Sequence, residues 1–369
     1  MRRLAAMAEM ANVEVVQPMP YFPLLRPLPD WAVAGARRIG DMRVAHQRMF
    51  YVPGLLKSLD GFWLQRSVRE SLFTFMKKGE VDAVDAHFGY PDGVGCVRAA
   101  REFNIPVFVT VRGLELDRIR RPLIRNQLVA AMNDATGCIS VSYALRDALR
   151  DAGVKKEKIR VIPNAVDRQV FRPGDRHAAR NILDIPPDAR VIVTVGHLIT
   201  GKRHDILIRA FGRLRARRGD VLLAIIGGED HEPGYALQLR KLAREIGVLD
   251  SVRFVGPIDP KDVVRWLHAA DLFALATARE GCCNAVLEAL ATGIPVVTTP
   301  AGDNAVYVTT DVNGRIVPVG DVEALFEALD AALGRPWDAV QISKTLPVGD
   351  WSSVAREVLN AFAEWRRER

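Results

Sequence analysis

Two carboxylates, Glu280 and Glu288, bracket the run Glu280-Gly281-Cys282-Cys283-Asn284-Ala285-Val286-Leu287-Glu288. Upstream, Asp271 to Ala276 reads as a short buried strand. Downstream, Ala285 to Thr292 has helical patterning and is stopped by Gly293, with Pro295 beyond. Glu280 is therefore expected in a loop and Glu288 on a helix. Asn284 is the predicted N-cap, which leaves the first backbone N–H groups of that helix open to an anion. A carboxylate one turn further in can accept hydrogen bonds from ligand hydroxyls, so the run reads as a site for a phosphate joined to a polyol. Two other readings stand beside it. Acidic residues near a helix start can be solvated charges that complement the helix dipole, and a carboxylate pair can flank a glycosidic bond for hydrolysis, which the separation in space would decide.

A second run, Arg190 to Val195 followed by Gly196-His197-Leu198-Ile199-Thr200-Gly201-Lys202-Arg203, is a β-branched strand ending at glycine, then a loop, then a helix expected over Ile206 to Arg217. Gly196, Gly201 and Lys202 almost spell a P-loop. Its last position fails: magnesium binding needs Ser or Thr where Arg203 stands, so the loop reads as a diphosphate grip with two cations and no metal. The plainer alternative is a surface lysine in an ordinary turn. Gly93-Val94-Gly95-Cys96-Val97-Arg98 puts an arginine where a dinucleotide fingerprint needs its third glycine, and is weak evidence for a nicotinamide cofactor.

These loops need elements to hold them, and strand-like runs alternate with helical ones along the chain. The first half gives Val81 to His87, Val107 to Val111, Gly137 to Val141 and Arg160 to Ile162. The second gives Val191 to Val195, Val221 to Ile226, Val252 to Val255, Leu272 to Ala276, Val296 to Thr298 and Gly314 to Val317. Alternation repeated in two blocks predicts an α/β chain of two doubly wound, Rossmann-like domains, 1–170 and 171–350, joined through a polar, proline-bearing linker at 168–188. Ligands of open α/β sheets sit at the carboxyl ends of strands, so both loops are expected to face the interdomain cleft. The tail, 351–369, reads as an amphipathic helix carrying Val354, Val358, Phe362 and Trp365 on one side. At the other end, Arg2 to Ala11 already looks helical and leads into Val13 to Val16. The strand and glycine-rich loop that normally open such a domain are therefore expected to be missing. Glu9 interrupts what would be the apolar core of a signal peptide, so the expectation is an earlier translation start or a shortened form.

Composition narrows the class. The 369 residues suffice for two domains, and 49% hydrophobic with 26% charged residues is globular usage, with no apolar stretch near the roughly 20 residues of a membrane span. A net charge of +7 admits nucleic acid or an anionic membrane surface. Anionic small molecules satisfy it equally well, and no nucleic-acid partner is expected. Cysteines 96, 138, 282 and 283 lack metal-ligand spacing and read as free thiols of a reducing cytoplasm.

Val195-Gly196-His197-Leu198 with Lys202, Ile162-Pro163-Asn164-Ala165-Val166-Asp167 followed by Phe171-Arg172-Pro173, and Glu280 to Glu288 together resemble glycosyltransferase family 4, retaining enzymes of the GT-B fold. The similarity runs from about residue 80 to the C-terminus. It implies a nucleoside diphosphate sugar as donor, no cofactor and no metal. Glu280 would contact the transferred sugar, Glu288 the ribose, and Lys202 the diphosphate; Gly281 and Asn284 match the turn whose backbone meets the phosphates, with Gly196, His197, Arg203, Cys282 and Cys283 alongside. His197 stands where arginine is common, Cys283 where proline is usual, and Arg112 where many members carry a histidine near the reacting sugar. Arg112 with Glu115, like His87-Phe88-Gly89-Tyr90-Pro91-Asp92-Gly93, resembles bacterial polysaccharide-assembly members. The resemblance makes Lys202, Glu280 and Arg112 the catalytic candidates and His87, Tyr90, Arg112, Glu115 and Asn164 the acceptor-side ones. It also implies that the tail helix returns to the first domain, and that the acceptor is a glycan or lipid-linked sugar at the inner face of the membrane. Residues 48–77 add Phe50, Tyr51, Phe62, Trp63, Phe73 and Phe75 among Arg48, Lys57, Arg66, Arg69 and Lys77. That mixture fits either a membrane interface or a core helix pair with solvated charges. Other GT-B chemistry (sugar-nucleotide epimerisation or phosphorolysis) and a non-catalytic sugar-nucleotide subunit remain as alternatives.

Overall fold

β-branched runs bounded by Gly, Pro and Asp form buried parallel strands when helices can cover both of their faces. In a computed structural model, which describes residues 2–22, 37–39, 42–79, 81–232 and 234–367, the chain forms two compact units: Met1–Ala165 with Asp350–Arg369, and Val166–Gly349.

The first unit holds two sheets. β1 (Glu14–Tyr21), β2 (Arg37–Ile39) and β3 (Met42–Phe50) are ordered β1-β3-β2, with β1 parallel and β2 antiparallel to β3. β4 (Val84–His87), β5 (Val107–Val111), β6 (Gly137–Ser140) and β7 (Ile159–Val161) run parallel in sequential order. The chain enters through a helix, Arg2–Ala8, and among the described residues no strand precedes Glu14. The tail helix, Trp351–Arg367, buries Val354, Val358, Phe362 and Trp365 in this unit, against Phe108, Ile139 and Ile162. Phe108 and Phe362 stack with centroids 3.9 Å apart. Gly137 is required under Trp365, because a Cβ there would lie 2.4 Å from the indole.

In the second unit, β8 (Arg190–Val195), β9 (Val221–Ile226), β10 (Val252–Gly256), β11 (Leu272–Leu275), β12 (Val296–Thr298) and β13 (Gly314–Ile316) form one parallel sheet ordered β10-β9-β8-β11-β12-β13. Two apolar cores cover it: Leu207, Phe211, Leu239 and Leu329 belong to one, Phe171, Trp266, Leu287 and Leu290 to the other. The stretch 168–188 is folded into this unit and is not a loose linker. Asp175 caps the helix Arg176–Ile182 through its side chain, and Phe171 and Ile185 are buried in the core. Their burial outweighs the polar, proline-bearing composition that made the stretch look like a linker.

Among the described residues, no helix is long and apolar enough to cross a membrane. The helix Asp60–Lys77 buries Leu64, Val68 and Leu72 and leaves Phe62 and Phe73 exposed.

Candidate active site

The second unit's strand order reverses between β8 and β11, adjacent strands whose carboxyl ends feed the two loops singled out by their sequence. Such a reversal opens a crevice that accepts ligands. The β8 loop passes through a turn, Thr200–Lys202, before the helix His204–Arg218. Two bonds weld the loops: the Ala278 N–H donates to the Gly201 carbonyl at 2.9 Å, and the Thr277 hydroxyl to the same oxygen at 3.3 Å. Two glycines let the β8 loop pack closely on itself and on the end of β9. A Cβ on Gly196 would press on the Lys202 side chain at 3.3 Å, and one on Gly227 would overlap the Gly196 carbonyl.

Lys202 and Glu280 meet here. The ammonium donates to Glu280 Oε1 at 2.6 Å, with side-chain exposures of 19% and 9%. Burial alone would lower the Lys202 pKa, yet it is raised, through Cys283 and Glu280. Burial also pushes the Cys283 thiol up, keeping it neutral, so the negative charge that holds the lysine protonated is Glu280. The result is a sequestered ion pair whose cation is permanently charged. Arg203, expected as a second cation on the phosphates, takes the left-handed conformation before the helix and grips Asp205 with two bonds of 3.0 and 3.1 Å. His204 is buried, and burial drives its pKa down to about 4. It faces the His197 carbonyl at 3.3 Å, so it is neutral at pH 7.

The helix Asn284–Ala291 departs from expectation at its start. Asn284 is its first helical residue, while the cap position belongs to Cys283, which makes no side-chain capping bond. Cys283 takes the non-helical turn conformation because its side chain tucks into the core beneath the helix. The N–H groups of Asn284 and Val286 bond to the carbonyls of Cys282 and Cys283, so the helix start is closed more tightly than an Asn cap would leave it. Gly281 is buried, Cys282 and Glu288 are half-buried, and Glu288 lies one turn into the helix.

In the first unit, the loops after β4 and β5 are neighbours, and Glu115 joins them. Its oxygens accept from the backbone N–H groups of Gly89 at 2.7 Å, Arg112 at 3.2 Å and Gly113 at 2.8 Å. With 1% of its surface exposed, Glu115 shapes this corner and does not face solvent. The Tyr90 hydroxyl is likewise engaged, donating to the Lys57 carbonyl. Arg112 is half-buried and Asn164 buried. His87 joins a cluster that sequence reading missed: one Arg3 nitrogen lies 2.8 Å from Asp85 Oδ2, 2.9 Å from His87 Nε2 and 3.0 Å from Thr110 Oγ1. Asp85 and His87 alternate on β4, a signal available in the sequence. Nothing in the sequence announces Arg3, 82 positions away. Asp92 was also missed: burial lifts its carboxyl to about 7, with its own backbone opposing and Glu115 adding to the rise.

Two α/β units built on parallel strands, the second with an ion pair at its strand-order reversal, match the GT-B fold. Residues 175–345 match the family described as "Glycosyl transferases group 1", and residues 8–170 match "Glycosyltransferase Family 4". The chain belongs to glycosyltransferase family 4. It is 33% identical over 198 residues to D-inositol 3-phosphate glycosyltransferase 2 of Catenulispora acidiphila, covering 52% of this chain and 46% of that protein. With the D-inositol 3-phosphate glycosyltransferase of Saccharomonospora viridis it shares 29% identity over 312 residues, 79% of this chain and 69% of the relative. The matches to the first of the curated relatives thus span about half of their length. Among solved structures, sucrose-phosphate synthase from Thermosynechococcus elongatus superposes with a TM-score of 0.80 at 19% identity, covering 100% of this chain and 92% of that one. Anabaena HepE, solved in complex with UDP, gives 0.73 at 20% identity, covering 87% and 86%.

Proposed function

We propose that this chain moves a glycosyl group from a nucleoside diphosphate sugar to a hydroxyl of a glycan or lipid-linked acceptor in cell-surface polysaccharide assembly, with retention at the anomeric carbon. The observation that carries the proposal is the Lys202–Glu280 pair, 2.6 Å apart at the strand-order reversal. An arriving diphosphate competes with Glu280 for the ammonium. Lys202 turns to the phosphate, and the released carboxylate accepts hydrogen bonds from the sugar hydroxyls. In the transfer, the bond from the anomeric carbon to the β-phosphate oxygen breaks and a bond to the acceptor oxygen forms on the same face. The acceptor proton passes to the departing diphosphate. Lys202 stabilises the charge growing on that leaving group, the electrostatic work that usually dominates such catalysis. Glu288 holds the ribose, and no metal or other cofactor takes part. Binding of UDP by the neighbour HepE supports a sugar-nucleotide donor.

Thermal shift over a panel of nucleoside diphosphate sugars tests the grip, since a ligand that binds the native state alone raises the melting point. At least one donor should stabilise the wild type in EDTA and fail to stabilise Lys202→Ala. Equal shifts in both proteins would refute the reading.

We further propose that the acceptor is met at an anionic membrane surface. Leu55, Leu56, Leu59, Phe62 and Phe73 are exposed beside Lys57, Arg66 and Lys77, apolar side chains with cations at headgroup reach. The protein should float with anionic liposomes at low salt, and Phe62→Ser/Phe73→Ser should stay at the bottom of the gradient.

A further inference from the structure

His197 directly follows Gly196 in the lysine-bearing loop, and across from it the loop after β9 presents Asp230 and His231. His231 Nδ1 lies 3.1 Å from Asp230 Oδ1, and His197 Nδ1 lies 3.9 Å from the same oxygen. One ligating atom from each of the three residues falls within 4.8 Å of the others. Donors held about 2.0–2.2 Å from one ion stand about 3.3–3.6 Å apart in a tetrahedron, so the observed spacings need only small side-chain rotations to close. The imidazole centroids are 4.1 Å apart. Each ring can lend a nitrogen lone pair to one cation between them. Asp230 supplies the anionic ligand.

We propose that His197, Asp230 and His231 bind one divalent transition-metal ion. Two imidazole nitrogens and a carboxylate oxygen form a borderline donor set that favours zinc, cobalt or nickel over magnesium or calcium. Its location gives the ion a task. The two loops are already joined by the Leu198 N–H donating to the Gly228 carbonyl at 2.9 Å and by the Thr200 N–H donating to Glu232 at 2.9 Å. An ion ligated from both loops adds a stronger tie beside Gly196 and stiffens the segment that delivers Lys202. The ion sits apart from the transfer step, which is proposed to proceed without metal.

Zinc and cobalt are the probes, added to the tag-free, chelator-treated full chain in competition with a chromophoric chelator. One ion per chain should bind, raise the melting temperature, and give with cobalt the absorption bands of a nitrogen- and oxygen-ligated site. His231→Ala and Asp230→Ala, both at exposed positions, should each weaken zinc binding by about 10²-fold or more, since even outer-shell partners of metal ligands cost 10 to 100-fold. Millimolar magnesium or calcium should not compete. Zinc uptake that is equal in wild type and His231→Ala, or no uptake at about 100 µM, would overturn the site. Either result leaves the Lys202→Ala donor experiment in EDTA untouched, so the two proposals fail separately.

Discussion

The two units hold charged side chains at the ends of parallel strands in opposite ways. In Val166–Gly349, Lys202 and Glu280 reach each other from loops after adjacent strands, and each is the other's nearest charge. In the other unit, Arg3 enters from the opening helix and spends one nitrogen on Asp85, His87 and Thr110 together, at 3% exposure. The first arrangement can exchange partners with an arriving anion. The second cannot release Arg3 without breaking its contacts to Asp85, His87 and Thr110 at once. A charge pair at a strand end is thus chemistry in one place and scaffold in the other, and the number of partners per charge tells them apart.

The sharpest way to break this comparison is to remove Arg3. The Asp85 side chain is 11% exposed; although burial opposes ionisation, His87 and Arg3 hold its carboxyl at about 2. Removing one partner of a buried pair costs about 3–5 kcal/mol, so Arg3→Ala should lose that much in urea unfolding at pH 7. The sign follows from the depressed pKa: the contribution is fully present above about 4 and is lost as pH falls through about 2. Arg3→Met/Asp85→Asn, which removes both charges, should recover much of the loss. An Arg3→Ala protein as stable as wild type would mean the cluster is not the scaffold described.

His204 gives the second unit its own acid weakness. Burial lowers its pKa from 6.5 to about 4, so between those pH values the unfolded chain binds a proton that the folded one does not. Stability therefore falls as pH drops from about 6.5 to about 4, by about 3 kcal/mol in all. Unfolding of wild type and His204→Gln at half-unit pH steps should show a flatter acid limb for the variant. Parallel limbs would remove His204 as the cause. Next in size is Lys202→Ala, expected to lower turnover by about 10²-fold, comparable to losing one oxyanion donor, and to cost some stability in urea unfolding as well, because it leaves Glu280 at 9% exposure without its cation. Loss of stability without loss of turnover would place Lys202 with the scaffold charges.

The difference between the units also decided what the sequence could tell. β5, β9 and β12 match the expected bounds because β-branched runs between turn residues leave little choice of register. Lys202 and Glu280 were found because glycine spacing marks the loops that carry them. The Arg3 cluster escaped because its members come from a helix and two strands that only tertiary folding unites. The cap at Cys283 escaped for a related reason: Asn284 has the better intrinsic capping chemistry, and burial of the Cys283 side chain overrides it. The stretch 168–188 misled through its composition, since two apolar anchors, Phe171 and Ile185, set its fate against many polar neighbours.

Arg203 offers the smallest effect and the finest test of the partner-count rule. It neighbours Lys202, and sequence alone gave both the same task. In the structure its guanidinium is held by Asp205 through two bonds, and Asp205 also accepts from the Tyr235 hydroxyl at 3.2 Å. Drawing Arg203 onto a diphosphate would break two charge-assisted bonds to make others, leaving little net gain. Because the pair is a third exposed, losing it should cost the fold no more than about 1 kcal/mol. Arg203→Ala should therefore keep donor affinity and turnover within about tenfold of wild type, against about 10²-fold for its neighbour. If Arg203→Ala loses as much turnover as Lys202→Ala, the Asp205 clasp opens on donor binding, and counting partners in the resting structure would no longer separate chemical charges from structural ones.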